Sequence, residues 1–148
     1  MRIQPPGELS EFPIVIELPV QWGDQDAFGH ANNAVYFRWY ESARIAYLDA
    51  VTLGDRTSHE GLGPILAHID CNYRKQVKYP DTIRVGARVT RIGRTSIGIE
   101  HKLWSQAHGD VAADGHSTIV VFDYESNKPH PVPDWLREAI ERLEGRAI

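Results

Sequence analysis

The stretch GDQDAFGHANNAVY, Gly23 to Tyr36, sets two acids, a histidine, two glycines and two asparagines ahead of an aromatic-rich run. Gly, Asp and Asn are poor in the interiors of helices and strands alike. A capped turn needs one or two such residues. The excess here marks a site rather than a simple connection. On its C-terminal side, residues 33–51 read as a helix that Asn32 or Asn33 caps through a short side-chain carbonyl. Arg38, Glu41, Ser42 and Asp49 fall along one stripe, and Val35, Phe37, Trp39, Tyr40, Ala43, Ala46, Tyr47 and Leu48 occupy most of the remainder. So narrow a polar stripe predicts a helix buried on most sides.

Strand patterns lie on both sides of this helix. Upstream, Ile14, Ile16, Leu18, Val20 and Trp22 alternate along one strand face, and Pro19 points to an edge or a bulge. Residues 1–13, with Pro5, Pro6, Gly7 and Pro13, read as an irregular lead-in. Downstream, 52–64 reads as a loop. Ile65, Ala67, Ile69, Cys71 and Tyr73 then alternate with polar residues, which predicts a strand with one face in the core. Tyr79-Pro80-Asp81 makes a turn. Two more strands carry Ile83, Val85, Ala87 and Val89, then Ile97, Ile99, His101 and Leu103, separated by a tight turn at Gly93-Arg94. His108-Gly109-Asp110 leads into a long strand over 111–124. A second helix, 133–144, is expected to be capped by Asp134, with Leu136, Ala139, Ile140 and Leu143 as its apolar stripe. Short connections make the last four strands antiparallel neighbours, an α+β arrangement with a sheet long enough to curl around one helix.

The 148 residues fit a single domain spanning 1–148. A net charge of −4 argues against a general nucleic-acid binder. One cysteine, Cys71, excludes a disulfide framework within the chain. There is no signal-like or membrane-length apolar run, so a soluble, cytoplasmic protein without membrane association is expected. The histidines show no metal-binding spacing, and neither a G-x-S-x-G nor a P-loop occurs. No metal and no cofactor are expected.

The run Asp24-x-Asp26-x-x-Gly29-His30-x-Asn32-Asn33-x-x-Tyr36, followed by Glu41, Ala43 and Arg44, resembles the hotdog fold. More narrowly, it resembles the 4-hydroxybenzoyl-CoA thioesterase-like acyl-CoA thioesterases. The likeness covers about residues 14–125. It implies a five-stranded antiparallel sheet wrapped around a long central helix, and hydrolysis of acyl-CoA thioesters. Asp26 matches the family's catalytic carboxylate, acting as nucleophile or as general base. The backbone amide of Asn33, at the positive end of the helix, fits the family's donor to the thioester carbonyl. The Asn33 side chain either caps or touches substrate. Gly29 is expected to let the chain approach the ligand closely, and Asn32 to start the helix or contact substrate. His30 either orients Asp26 and binds water or satisfies a backbone carbonyl. Asp24 reads as structural. Glu41, on the central helix, is the rival base, or else a partner of Arg38 or Arg44.

Between residues 74 and 94 the cations Arg74, Lys75, Lys78, Arg84, Arg88, Arg91 and Arg94 face a single acid, Asp81. Coenzyme A carries phosphates that such residues hold, and Arg91, Arg94 and Ser96 are the expected nucleotide contacts. A solvated sheet face is the plainer alternative. The resemblance also implies a homodimer or homotetramer with sites lined by two subunits, and acyl carrier protein could replace coenzyme A. Two rival functions stay open, a hotdog hydratase or dehydratase and a non-catalytic acyl-CoA or fatty-acid binding module.

Overall fold

A computed structural model describes residues 6–53 and 61–148. Its main elements are β1 (Ile14–Pro19), α1 (Asn33–Ala50), β2 (Leu62–Tyr73), β3 (Thr82–Ile92), β4 (Ser96–Ser105), β5 (Asp110–Asp123), β6 (Lys128–Pro129) and α2 (Asp134–Glu144). The strands form one sheet in the order β1-β3-β4-β5-β2, with the two-residue β6 attached to β5. Every pairing is antiparallel. Part of the 52–64 loop expectation falls on 54–60, outside the described residues. The described part differs from it at Leu62, where β2 already begins.

The alternation read from the sequence selects the inward residues of the central strands. Ile83, Val85, Ala87 and Val89 of β3 and Ile97, Ile99, His101 and Leu103 of β4 are all buried. Their apolar members share one cluster with Tyr36, Trp39, Tyr40, Ala43, Tyr47 and Leu48 of α1. The sheet therefore wraps a helix whose exposed residues are the two ends, Asn33 and Ala50, and a stripe at Ala34, Arg38, Glu41, Ile45 and Asp49. This is the hotdog arrangement, a sheet curled around a central helix.

Four local expectations change. β1 stops at Pro19, and Trp22 lies in a 3-10 turn, Trp22–Asp24, with 73% of its surface exposed. The cause is a reciprocal cap between Gln21 and Asp24 that bends the chain off the sheet. The lead-in is not merely irregular: Leu9 and Phe12 are buried with Val15 and Trp104 on the outer face of β1. Gly86 makes room there, since a Cβ on it would meet Phe12 Cδ2 at 2.7 Å. β2 does not put a full face into the core. It is an edge strand with an irregular register between Leu66 and His68. Ile65, Leu66 and Tyr73 are exposed, while Ile69 and Cys71 are half-buried. Finally, Pro133 and not Asp134 is the N-cap of α2. Asp134 sits in the first turn, where a carboxylate favours the helix dipole.

α2 seals one end of the wrapped helix. Leu136 and Ile140 enter the core. Glu144 Oε2 accepts from Tyr47 Oη at 2.6 Å and from the Val89 amide at 2.9 Å. That amide lies beyond the last β1–β3 partner pair, Ile14↔Ala87. Without Glu144 a buried donor would lack a partner, which is costly.

One polar relay crosses the core. Arg44 donates to Ser117 Oγ at 3.1 Å, Ser117 donates to His101 Nε2 at 2.8 Å, and His101 Nδ1 donates to the Gly86 carbonyl at 3.1 Å. The His101 ring stacks on Tyr40 with centroids 4.7 Å apart. Burial pushes the imidazole down to about 3, and the Arg44 charge pushes in the same direction. Between that value and the ordinary 6.5 the unfolded chain binds a proton that the native chain does not. This contribution to stability is full above pH 6.5 and is lost as pH falls toward 3. By pH 5 the loss reaches about 2 kcal/mol. Denaturant titrations at pH 7 and pH 5 should therefore show a larger drop for the wild type than for His101→Gln. Equal drops would remove His101 as the cause.

Candidate active site

The site grows from the loop between β1 and α1. Asp24 anchors it, with its side chain almost fully buried. Oδ2 accepts from the Gln21 amide at 2.8 Å, and Oδ1 accepts from Arg38 at 2.6 Å. Its carbonyl accepts the Asn32 amide at 2.9 Å. Asp24 is thus committed to holding the loop against α1, the structural role expected of it. The next residues close a tight turn, with Asp26 N bonded to His30 O and Gly29 N bonded to Asp26 O, both at 3.1 Å. Gly29 has φ +83°, a conformation that glycine adopts without steric cost. Among the described residues a Cβ there would meet nothing within 4 Å, so it is the positive φ of the turn that calls for glycine. Ala31 N then bonds the Val77 carbonyl at 2.7 Å, pinning the loop to the segment after β2.

Asp26 is half-buried and accepts the Phe28 amide through Oδ1 at 2.8 Å, which leaves Oδ2 for other chemistry. His30 Nδ1 approaches the Ala31 carbonyl at 3.3 Å, which leaves Nε2. Asn32 caps α1, its Oδ1 accepting the Ala34 amide at 2.9 Å. The Val35 amide goes to the Asn32 carbonyl. Among the described residues nothing accepts from the Asn33 amide, so the first turn keeps one unpaired donor at its positive end. Tyr73 Oη donates to the Asn33 carbonyl at 3.1 Å, and its ring packs edge-on against Tyr36 with centroids 4.9 Å apart. Burial and the neighbouring Cys71 push the Tyr73 phenol up to about 12, so it stays a donor.

A cleft of ≈ 260 Å³ opens here, lined by Asp26, His30, Ala31, Asn33, Tyr36, Tyr73, Arg74, Lys75 and Gln76. The structure therefore brings together Asp26, His30 and Asn33. It gives Gly29 and Asn32 supporting positions, one shaping the turn and the other capping the helix. It does not bring Arg91, Arg94 and Ser96 to this cleft within the chain. They sit at the β3–β4 turn, where Arg91 reaches Ser96 Oγ at 3.4 Å. That turn lies about 30 Å along β3 from Thr82, at the other end of the strand. Arg84 pairs with Glu17, and Arg88 with Glu11 and Glu100, as residues of a solvated sheet face do. Glu41 is exposed and 3.9 Å from Arg44, outside the cleft lining. Cys71 bonds Tyr40 Oη at 3.4 Å, and burial raises its thiol pKa, which disfavours the thiolate.

Tyr36 and Tyr73 had no assigned part in the site on the sequence alone. Tyr36 was reachable, one helical turn from Asn33 and hence on the same face. Tyr73 was not, because its place depends on the β2–β5 register, in which it faces Ala113.

Residues 20–140 match the model of the thioesterase-like superfamily. A solved thioesterase of Thermus thermophilus, complexed with coenzyme A and zinc, is 32% identical with a TM-score of 0.80, covering 93% of this chain and 98% of that one. The PA2801 protein of Pseudomonas aeruginosa is 35% identical with a TM-score of 0.74, covering 85% and 96%. The long-chain acyl-CoA thioesterase FadM of Escherichia coli K12 is 24% identical over 118 residues, which is 80% of this chain and 89% of that one.

Asn32→Ala removes the cap that holds the first turn open toward the cleft. Denaturant titration should show a loss of about 1 kcal/mol. An unchanged midpoint would show that the Asn32–Ala34 bond contributes nothing.

Proposed function

Since the chain belongs to the thioesterase-like superfamily, whose chemistry is thioester hydrolysis, we propose that it hydrolyses acyl-CoA thioesters at the Asp26 cleft. The observation that carries this reading is one juxtaposition. A carboxylate with an uncommitted oxygen and a helix-end amide without a partner among the described residues line the same cleft. The Asn33 N–H takes the thioester oxygen and strengthens its hold as negative charge develops there. Asp26 either attacks the carbonyl carbon, giving an anhydride that water then opens, or removes a proton from an attacking water. In both routes the carbon–sulfur bond breaks and the thiolate leaves. In this reading His30 Nε2, which has no partner among the described residues, holds the water. Tyr36 and Tyr73 give the acyl group an aromatic wall.

The cleft lies at the end of β2, beside an open sheet edge. Ile65 and Leu66 are exposed on that strand, and its outer side has no strand neighbour among the described residues. Unpaired edges with apolar side chains invite pairing with another chain. A second copy along β2 would bring its residues to the cleft, which is why we include a homodimer in the reading. Sedimentation should show a dimer or a larger even assembly. Ile65→Lys with Leu66→Lys should shift it toward monomer and lower turnover. A monomeric wild type would remove the partner from the site.

Thiol release from short, medium, long and aromatic acyl-CoAs tests the reaction itself. Asp26→Asn should lower kcat by roughly 10²–10⁴-fold with the fold intact by circular dichroism. Turnover that survives the substitution would place the carboxylate elsewhere. Acyl-CoA binding without turnover in the wild type would favour a binding module.

A further inference from the structure

β2 lies at the edge of the sheet, yet its last residue is tied to the helix that the sheet wraps. Tyr73 Oη donates to the Asn33 carbonyl at 3.1 Å, a bond between residues 40 positions apart. That carbonyl belongs to the peptide unit joining Asn33 to Ala34. The N–H of the same unit, on Ala34, donates to Asn32 Oδ1 at 2.9 Å. One peptide unit at the start of α1 is thus held at both ends, by side chains from the loop and from β2. A carbonyl oxygen carries two lone pairs, so the bond from Tyr73 adds to the helical ladder without displacing it.

The unit before it is held at one end only. The Asn32 carbonyl accepts the Val35 amide at 3.0 Å. Its N–H, that of Asn33, has no partner among the described residues. Peptide units are planar, and these two share the Cα of Asn33. Fixing the second plane therefore limits the tilt of the first.

Tyr73 is itself braced. Its ring meets Tyr36 edge-on with centroids 4.9 Å apart, and Tyr36 meets Trp39 in the same manner at 5.2 Å. Both partners are buried. Just beyond it, the Arg74 and Lys75 amides bond the Ala112 carbonyl at 2.8 and 3.0 Å, which pins the strand end. The phenol stays protonated, pushed up to about 12 by burial and then by Cys71. Tyr73 is 46% exposed, so removing its hydroxyl strands no buried group. Such a bond adds little to global stability. Its effect is on geometry.

We propose that Tyr73 is a positioning residue, its hydroxyl fixing the first peptide unit of α1 and, through it, the direction of the Asn33 N–H. The kinetic consequence rests on the acyl-CoA reading above. The grip on the peptide unit does not.

The test compares wild type, Tyr73→Phe, Asn32→Ala and the double variant on one acyl-CoA. Tyr73→Phe keeps the ring against Tyr36 and removes only the hydroxyl. The denaturation midpoint and KM should hold while kcat falls roughly tenfold. Both single variants release the same peptide unit, so the double should lose less than the product of the two single losses. An unchanged kcat in Tyr73→Phe, a rise in KM alone, or fully multiplicative losses in the double would overturn the assignment. If the wild type hydrolyses nothing, amide hydrogen exchange on nitrogen-15-labelled protein decides separately. Exchange at Ala34 that quickens several-fold in Tyr73→Phe, with Tyr47 unmoved, keeps the grip while the hydrolytic reading fails. Equal exchange at Ala34 in both proteins overturns the grip.

Discussion

A helix with tyrosines, a tryptophan and a leucine on most of its circumference cannot face water, and burying α1 is the constraint that the rest of the molecule answers. Tyr36, Trp39, Tyr40, Ala43, Tyr47 and Leu48 all lie in the main core. A flat sheet covers one stripe of a helix, so coverage this broad requires a sheet that curls. The inward rows of β1, β3, β4 and β5 supply that wall. The one charged side chain of α1 enclosed in it, Arg44, is matched by Ser117 and through it by a neutral His101. A buried guanidinium without such acceptors would carry a heavy desolvation cost.

Wrapping a helix sideways leaves its two ends, and the chain treats them differently. At the C-terminal end, α2 packs Leu136 and Ile140 into the core, and Glu144 ties Tyr47 to β3. At the N-terminal end the cap is partial. Asn32 satisfies Ala34 and Val35, and the Asn33 amide, on a residue that lines the cleft, has no partner among the described residues. An unpaired amide is a small loss of stability where solvent can reach it. It is also the feature that lets a helix end stabilise a developing oxyanion. The closed end provides rigidity, and the open end uses it.

The central strands and the motif loop were legible in the sequence because local pattern decides them. β3 and β4 alternate cleanly, and both of their inward sets are buried. The edge was not legible. Ile65, Ala67, Ile69, Cys71 and Tyr73 alternate as a core strand does, yet here the pattern serves an edge strand on which Ile65 and Tyr73 are exposed and Ile69 and Cys71 half-buried. Nor does a run of cations say which end of a strand its members occupy. Arg91 and Arg94 belong to the same charge cluster as Arg74, Lys75 and Lys78. Only the pairing of Tyr73 with Ala113 and of Ile92 with Ile97 separates them to opposite ends of the sheet.

Asp24 and Asp26 show how far two residues of one type can diverge over two positions. Both lie in the same loop. Asp24 is buried and spends both oxygens, one on Arg38 and one on the Gln21 amide. Asp26 spends one oxygen on its own turn and lines the cleft. Their separation follows from Arg38, which projects from α1 toward Asp24 fourteen positions away. A carboxylate gripped by a guanidinium makes a good anchor. The anchor fixes the loop against the helix, and the loop then sets the second carboxylate beside the helix end. The pair therefore divides its work by environment. The buried acid supplies geometry, and the half-exposed one keeps an oxygen that its own turn does not use.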